Sequence, residues 1–372
     1  MVYNQSLGEC RRHYEKTGSM YSQYDLVKMV KLMKNEDTEL RNGYSACMQE
    51  SIHRVYKAFN GFFRRINSGE NPGCPRFKKI GRFHSFTYTQ NDQFSVLGIN
   101  RLRLGKIGAV YFKGSIQRYY EMGVPKICTV KRAPTGKWYA NVVYEFEFIK
   151  FGCETFSRKT EVGVDLNIRN LATLSDGTVY NNSKLVEKNQ ISIQKLQKKI
   201  SKNDDDPIKK EKYKKHLNHI FERLNNKRRD EAHKISRELV DNHTFLAFED
   251  LNIQGMIDDI SAQCENKKQV SNIHKAQYSV AWRRLLTYTK YKAEDADVTL
   301  VVVNPAHTSQ MCSRCKNIKP KTLDERMHYC KKCGLIMSRD RNAAINILNK
   351  ARGADLHLEY GENYSSRGEL DP

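Results

Sequence analysis

Long hydrophobic runs are missing from this sequence of 372 residues. It has no stretch of about 18 apolar residues that could cross a bilayer, no secretory signal and no lipidation motif. Acidic residues are scarce beside basic ones: 42 Asp and Glu face 64 Lys and Arg, which leaves a formal net charge of +22. Such an excess repels itself unless a polyanion neutralises it, and nucleic acid is the commonest polyanion. We therefore expect a cytoplasmic protein that binds nucleic acid and no membrane.

Cysteines are sparse outside one cluster. The chain has ten of them, and without a secretory signal the scattered ones indicate reduced, mostly buried thiols. We assign no function to these scattered residues, which are Cys10, Cys47, Cys74, Cys128, Cys153 and Cys264.

The remaining four cysteines have the spacing of a metal site. Cys312 and Cys315 form one Cys-x-x-Cys pair, and Cys330 and Cys333 form a second pair after fourteen intervening residues. Two such pairs can chelate one tetrahedral Zn²⁺, and Gly334 permits the tight turn that follows the last cysteine. Because all four positions are filled by protein, we interpret the site as structural zinc rather than as a catalytic metal.

The pattern along the chain changes from helical to period two and back. Apolar residues from Ile52 to Ile66 recur at helical spacing and predict a core-facing stripe, whereas the alternation between Phe77 and Phe148 predicts about five short strands and a small β-barrel. Trp138 and Trp282 are expected in the core. The predicted parts are a helical domain over 1–70, the barrel over 71–155, strands with a long charged helix broken near Asp204–Pro207 over 156–306, a zinc ribbon over 307–335, a last helix over 336–350 and a tail over 351–372.

Three acidic residues stand at the ends of predicted elements. Asp165 ends an apolar strand, Glu249 follows the apolar strand Thr244–Phe248, and Asp340 precedes a helix. Each also has an ordinary interpretation: Asp165 as a turn residue, Glu249 as an acid in the loop after a strand, and Asp340 as a helix N-terminal residue. In the order strand, strand, helix they match a ribonuclease H-like arrangement, whose sheet brings distant residues within reach of shared metal ions. Such carboxylates can hold two Mg²⁺ ions for phosphodiester cleavage.

Several motifs resemble one family over nearly the whole chain. Gly163–Thr173, Phe248–Leu251, and the segments Thr308–Cys315 and Arg339–Ile347 resemble the RuvC and zinc motifs of TnpB, the transposon-encoded RNA-guided DNA endonucleases related to compact type V CRISPR nucleases. Upstream, the similarity includes Phe62–Arg65, Pro75–Lys79 and Gly136–Ala140.

The resemblance implies a fold and a set of roles. The fold would be α+β and multidomain: a RuvC-like nuclease domain with an inserted zinc ribbon, a helical recognition lobe and a wedge-like β-barrel. Asp165, Glu249 and Asp340 would be the catalytic, Mg²⁺-binding triad. The partners would be a transposon-derived guide RNA and double-stranded and single-stranded target DNA, in a prokaryotic cytoplasm with nucleoid association on binding DNA. Base pairing would provide most of the target choice. A monomer is expected.

Basic residues in the similar regions are candidates for nucleic-acid contact. On the long charged helix, a solvated face is the alternative to a lid over the active site. The candidates are Arg64, Arg65, Arg76, Lys78, Lys79, Arg228 and Arg229.

The sequence also departs from the family pattern. Met1 corresponds to a point inside the family's amino-terminal region, so the first barrel strand is expected to be missing. Asn167 stands where glycine is frequent, and Ser338 where aspartate is frequent, but neither change removes a predicted ligand. Two other functions stay open: an RNA-guided DNA-binding protein impaired in cleavage, and a transposase or transposition accessory protein.

Overall fold

A computed structural model describes residues 1–79, 81–89, 93–114, 123–146, 160–167, 170–183, 185–250, 282–321 and 325–358. The chain divides into two compact units, Met1–Ile149 and Lys150–Pro372. Within the described ranges, no helix is both long and apolar enough to cross a membrane.

The first unit begins with a helical bundle around an amphipathic helix. Ile52, Val55 and Phe59 are buried at helical spacing, as predicted, while Ile66 at the end of the stripe is 44% exposed. These side chains pack with Leu7 and Leu26 of the preceding helices, so removal of apolar surface from water holds the bundle together. The helices are α1 (Val2–Thr17), α2 (Gln23–Glu36), α3 (Thr38–Asn42) and α4 (Ser45–Asn67).

The strands of the first unit form two antiparallel sheets of three strands each, in the orders β1-β5-β6 and β2-β3-β4. A single closed barrel is therefore not confirmed. The core placement of Trp138 is wrong, because this side chain lies 60% exposed at the start of its strand, with the Arg132 guanidinium 5.9 Å from its ring centre. The strands are β1 (Ser85–Tyr88), β2 (Phe94–Gly98), β3 (Arg101–Leu104), β4 (Gly108–Tyr111), β5 (Val124–Arg132) and β6 (Trp138–Glu145).

The second unit is built on a mixed sheet of five strands in the order β11-β10-β7-β8-β9. β10 pairs in parallel with both β7 and β11, and β7 pairs antiparallel with β8. Apolar runs form the central strands because their residues are buried on both faces. The strands are β7 (Thr160–Asp165), β8 (Asn170–Leu174), β9 (Val179–Asn181), β10 (His243–Glu249) and β11 (Thr299–Val303).

Four helices of the second unit are described. The predicted break in the long charged region is confirmed: Asp206 caps the second helix by accepting from the Lys209 backbone N–H at 3.0 Å, and Pro207 opens it. Trp282 is buried, as predicted. The helices are α5 (Leu185–Lys202), α6 (Pro207–Asn242), α7 (Trp282–Asp295) and α8 (Arg339–Leu358).

The zinc segment and the last helix run further than the sequence boundaries suggested. The hairpin of β12 (Met327–Tyr329) and β13 (Ile336–Ser338) extends three residues past 335. Helix α8 continues beyond Lys350, where Arg352 pairs with Glu161 at 2.6 Å. These contacts extend structure into residues 351–358, which were assigned to a tail.

Candidate active site and metal centre

Asp165 is the last residue of β7 and is only 6% exposed. Burial raises its pKa to about 8, and the neighbouring carboxylates of Glu249 and Asp340 act in the same direction. The side-chain amide of Asn167 opposes them by donating to Asp165 Oδ2 at 3.1 Å. An acid in such surroundings is held mainly as the neutral form near neutral pH unless a cation joins it.

Glu249 reaches the same edge of the sheet through parallel pairing. Phe248 lies opposite Val164, so β10 and β7 end side by side, and their terminal acids follow. Glu249 is also 6% exposed, and burial raises its pKa. The Thr308 hydroxyl donates to Glu249 Oε1 and, together with the charge of Lys350, opposes that rise.

Asp340 comes from the first turn of α8, which packs across β7. Gly163 makes the approach possible: a Cβ there would lie 2.0 Å from the Ala344 carbonyl oxygen and 2.8 Å from the Leu348 amide nitrogen. Any larger residue at 163 would push the helix away. The charge of Asp340 raises the pKa of Asp165, so the third acid lies within electrostatic range of the first.

The tertiary structure therefore gathers the three acids predicted from sequence at one edge of the sheet. Carboxylate oxygens are the ligands that Mg²⁺ prefers, and like charges under low solvation need a cation to offset their repulsion. In donor chemistry the three acids suit a divalent metal, although among the described residues only the four ribbon cysteines have ligand atoms that all lie within 4.8 Å of one another.

The four cysteines of the ribbon converge on one point. Their sulfur atoms all lie within 4.8 Å of one another, with Cys312 Sγ 3.6 Å from Cys333 Sγ and Cys315 Sγ 3.5 Å from Cys330 Sγ. A tetrahedral site with Zn–S bonds of about 2.3 Å places its sulfurs about 3.8 Å apart. The cluster therefore fits Zn²⁺.

Local backbone geometry prepares this cluster. The Lys316 amide donates to the Cys312 carbonyl and the Gly334 amide to the Cys330 carbonyl, each at 2.9 Å, which forms two equivalent turns. Both turns end in positive φ, 61° at Lys316 and 71° at Gly334, as the sequence predicted for Gly334. Hydrogen bonding from the Cys333 backbone is the main cause that lowers the pKa of Cys330 to about 6. At Cys330 this favours the thiolate that zinc requires, whereas burial and hydrogen bonds with the other cysteines raise the pKa of Cys333 despite the Leu335 backbone.

Two asparagines connect the ribbon to the helix that carries Asp340. Asn342 accepts from the Ser313 amide at 2.9 Å and donates to the Met311 carbonyl at 2.7 Å. Asn346 donates to the carbonyls of Thr308, at 2.9 Å, and Met311, at 2.7 Å. Both asparagines are fully buried. Sequence reasoning gave them no role, although two amides four residues apart within an apolar helical run are a signal, because buried polar groups require partners.

The predicted nucleic-acid contacts differ in exposure. Lys78 is half-buried, with its ammonium group 4.6 Å from the ring centre of Tyr3 and 5.0 Å from that of Phe83. Arg228 is also half-buried, and burial lowers its pKa. The remaining candidates, Arg64, Arg65, Arg76, Lys79 and Arg229, are exposed.

Two family models match the second unit. The model described as "Probable transposase" matches residues 151–259, which include Asp165 and Glu249. The model described as "Cas12f1-like, TNB domain" matches residues 282–347, which include the four clustered cysteines and Asp340.

Three related proteins are similar to this chain over longer stretches than the family models match. "Putative RNA-guided DNA endonuclease InsQ" of Escherichia coli (strain K12) is 28% identical, over 93% of this chain and 85% of the relative. "Putative RNA-guided DNA endonuclease" of Streptomyces pristinaespiralis is 24% identical, over 94% and 82% respectively. "CRISPR-associated endodeoxyribonuclease Cas12f1" of Sulfoacidibacillus thermotolerans is 26% identical, over 57% and 50%.

Proposed function

We propose that this chain, which belongs to the TnpB-like transposase family, is an RNA-guided DNA endonuclease of a transposable element. The observation that supports the proposal most is that Asp165 and Glu249 end the neighbouring strands β7 and β10, both buried with raised pKa values, while the charge of Asp340 from α8 also raises the pKa of Asp165. The relatives named as RNA-guided DNA endonucleases, which align over more than nine-tenths of the chain, support the choice of guide and substrate.

The acids would hold two Mg²⁺ ions, which together activate a water molecule and stabilise the leaving oxygen of a phosphodiester. In this assignment Asp165 would be the central ligand of the site, because the charges of both Glu249 and Asp340 raise its pKa. Burial of Asp165 and Glu249 keeps water from screening the charges that attract the metal ions. Asn167 and Thr308 orient the two strand-borne acids by donating hydrogen bonds to them.

Guide RNA and target DNA would be bound largely through their phosphates. The net charge of +22 supplies a surplus of cations for this purpose. We assign phosphate contacts to the exposed Arg64, Arg65, Arg76, Lys79 and Arg229, while the partial burial of Lys78 and Arg228 gives these two a smaller share. The zinc ribbon would contribute to the binding of target nucleic acid.

The decisive experiment uses the protein purified with its bound RNA. That RNA is sequenced, a DNA target complementary to its guide portion is prepared, and cleavage is measured with Mg²⁺. We expect the parent to cut, and Asp165→Ala to bind RNA and DNA with parental affinity without cutting. Asp230→Ala is the matched control, because it also removes one carboxylate but from an exposed site on α6.

Cleavage by Asp165→Ala at the parental rate would refute the active-site assignment. Joining of DNA strands in the absence of RNA would instead support a transposase. Target binding without cleavage by the parent protein would favour a guided binding protein.

A further inference from the structure

Glu249 is held by a residue outside the sheet. Thr308 is 2% exposed, and its hydroxyl donates to Glu249 Oε1 across 59 positions of sequence. The hydroxyl has one proton, and the Pro305 carbonyl at 3.0 Å is a competing acceptor. A carboxylate is the stronger acceptor, so the proton is directed to Glu249.

Thr308 is itself anchored to the last helix. Its carbonyl accepts from Asn346 Nδ2 at 2.9 Å, and the same amide group donates to the Met311 carbonyl immediately before the first zinc-site cysteine. One turn earlier, Asn342 binds the backbone on either side of Cys312. The base of the zinc ribbon, Thr308 and the helix that carries Asp340 therefore form one hydrogen-bonded body.

We propose that Thr308 is a positioning residue for the metal site: its hydroxyl fixes one oxygen of Glu249 and would leave the other oxygen available to a metal ion. This inference rests on the proposed function, since it assigns a role to a neighbour of the same site. Asn346 keeps the hydroxyl in place relative to Asp340. The ribbon thereby contributes to Mg²⁺ binding without touching the metal.

The inference is tested with Thr308→Val and Thr308→Ser in the purified RNA complex. Valine preserves the shape and removes the donor, whereas serine keeps the hydroxyl. A hydrogen bond to a charged group stabilises that group's position by a free energy that corresponds to about a tenfold change in an equilibrium constant. Its loss in Thr308→Val is therefore expected to raise the Mg²⁺ concentration for half-maximal cleavage about tenfold. Serine should restore most of the parental value. Mn²⁺ binding measured by calorimetry should weaken in parallel in Thr308→Val, which gives a readout independent of cleavage.

Thr289→Val is the matched control, because this buried threonine donates to the Leu285 carbonyl at 2.8 Å inside α7 rather than to an acid. Zinc content should stay parental in all three variants. The proposal is overturned if Thr308→Val keeps the parental metal dependence, if serine fails to rescue it, or if valine acts only by releasing zinc. Cleavage by Asp165→Ala would instead refute the proposed function, so the two failures are distinguishable.

Discussion

The two candidate metal sites of the second unit are built in opposite ways. The thiol site is local: its ligands lie between Cys312 and Cys333, on two turns whose own backbone prepares the sulfurs. The carboxylate site is assembled from β7, β10 and α8, whose acids are spread from Asp165 to Asp340. The first can organise its own small fold, whereas the second depends on a sheet that already exists.

The two sites also differ in how their surroundings shift the pKa values of the ligands. In the thiol site, hydrogen bonding from the Cys333 backbone lowers the pKa of Cys330, but burial and hydrogen bonds with the other three cysteines raise the pKa of Cys333. In the carboxylate site, burial and the charges of Glu249 and Asp340 raise the pKa of Asp165. The surroundings of the thiol site thus favour the charged form of one ligand and oppose that of another, whereas both buried acids are shifted toward the neutral form until a cation arrives.

The largest effect is expected from Cys330→Ser. Structural zinc contributes about 10–16 kcal/mol to the folding of small zinc domains, so loss of a ligand should release zinc and unfold the ribbon. Elemental analysis should show no bound zinc, and amide exchange should accelerate from about residue 308 to Ser338 while the five-stranded sheet stays protected. Cys74→Ser, at an exposed thiol of the first unit, is the control. Retention of zinc would show that the thiols do not act as one site.

Asp165→Asn is expected to have a smaller effect in the metal-free protein, and to raise the stability of the fold rather than lower it. The folded pKa is raised to about 8 from an ordinary 3.8, so the acid destabilises the fold increasingly as pH rises from about 4, and fully above about 8. The variant should therefore melt higher by about 4 °C or more near pH 8.5, with a much smaller difference near pH 5.

Mg²⁺ should narrow the gap between these melting temperatures, because only the parent binds it tightly. Asp230→Asn, at an exposed acid, should follow the parent at each pH. Equal melting temperatures of Asp165→Asn and the parent at both pH values would contradict the electrostatic account of the site.

The smallest effect is expected from Asn167→Ala. The change removes the hydrogen-bond donor to Asp165 but leaves all three acids. Mg²⁺ affinity should therefore fall about tenfold, which is at the lower end of the losses seen when a residue that hydrogen-bonds to a metal ligand is replaced. The Mg²⁺ dependence of cleavage provides the measurement. Asn203→Ala, between α5 and α6, is the control. An unchanged Mg²⁺ requirement would mean that the sheet alone orients Asp165.

Sequence patterns predicted the locally determined features. Helical spacing placed Ile52, Val55 and Phe59 in a core, and the break at Pro207 was identified from turn residues. The prediction for Trp138 was wrong because it relied on the general preference of tryptophan for the core. The position of Trp138 on its strand instead leaves the side chain exposed beside Arg132. The predicted barrel likewise required strand pairing that alternation alone does not specify.

The supporting residues of the acid site could not be assigned from sequence for a related reason. Thr308, Asn342 and Asn346 act by hydrogen bonding to groups 29 to 59 positions away. A polar residue in an apolar run indicates that a partner exists, but only the folded chain identifies it.

By itself, the sequence determined the thiol site and the surplus of positive charge, because four cysteines at matched spacing need only two tight turns to meet. It also marked Asp165, Glu249 and Asp340 as residues at the ends of elements. Their placement toward the same edge of the sheet was decided by tertiary structure. Parallel pairing of β10 with β7 aligns two of the acids, and the missing side chain of Gly163 lets α8 bring the third against the same edge.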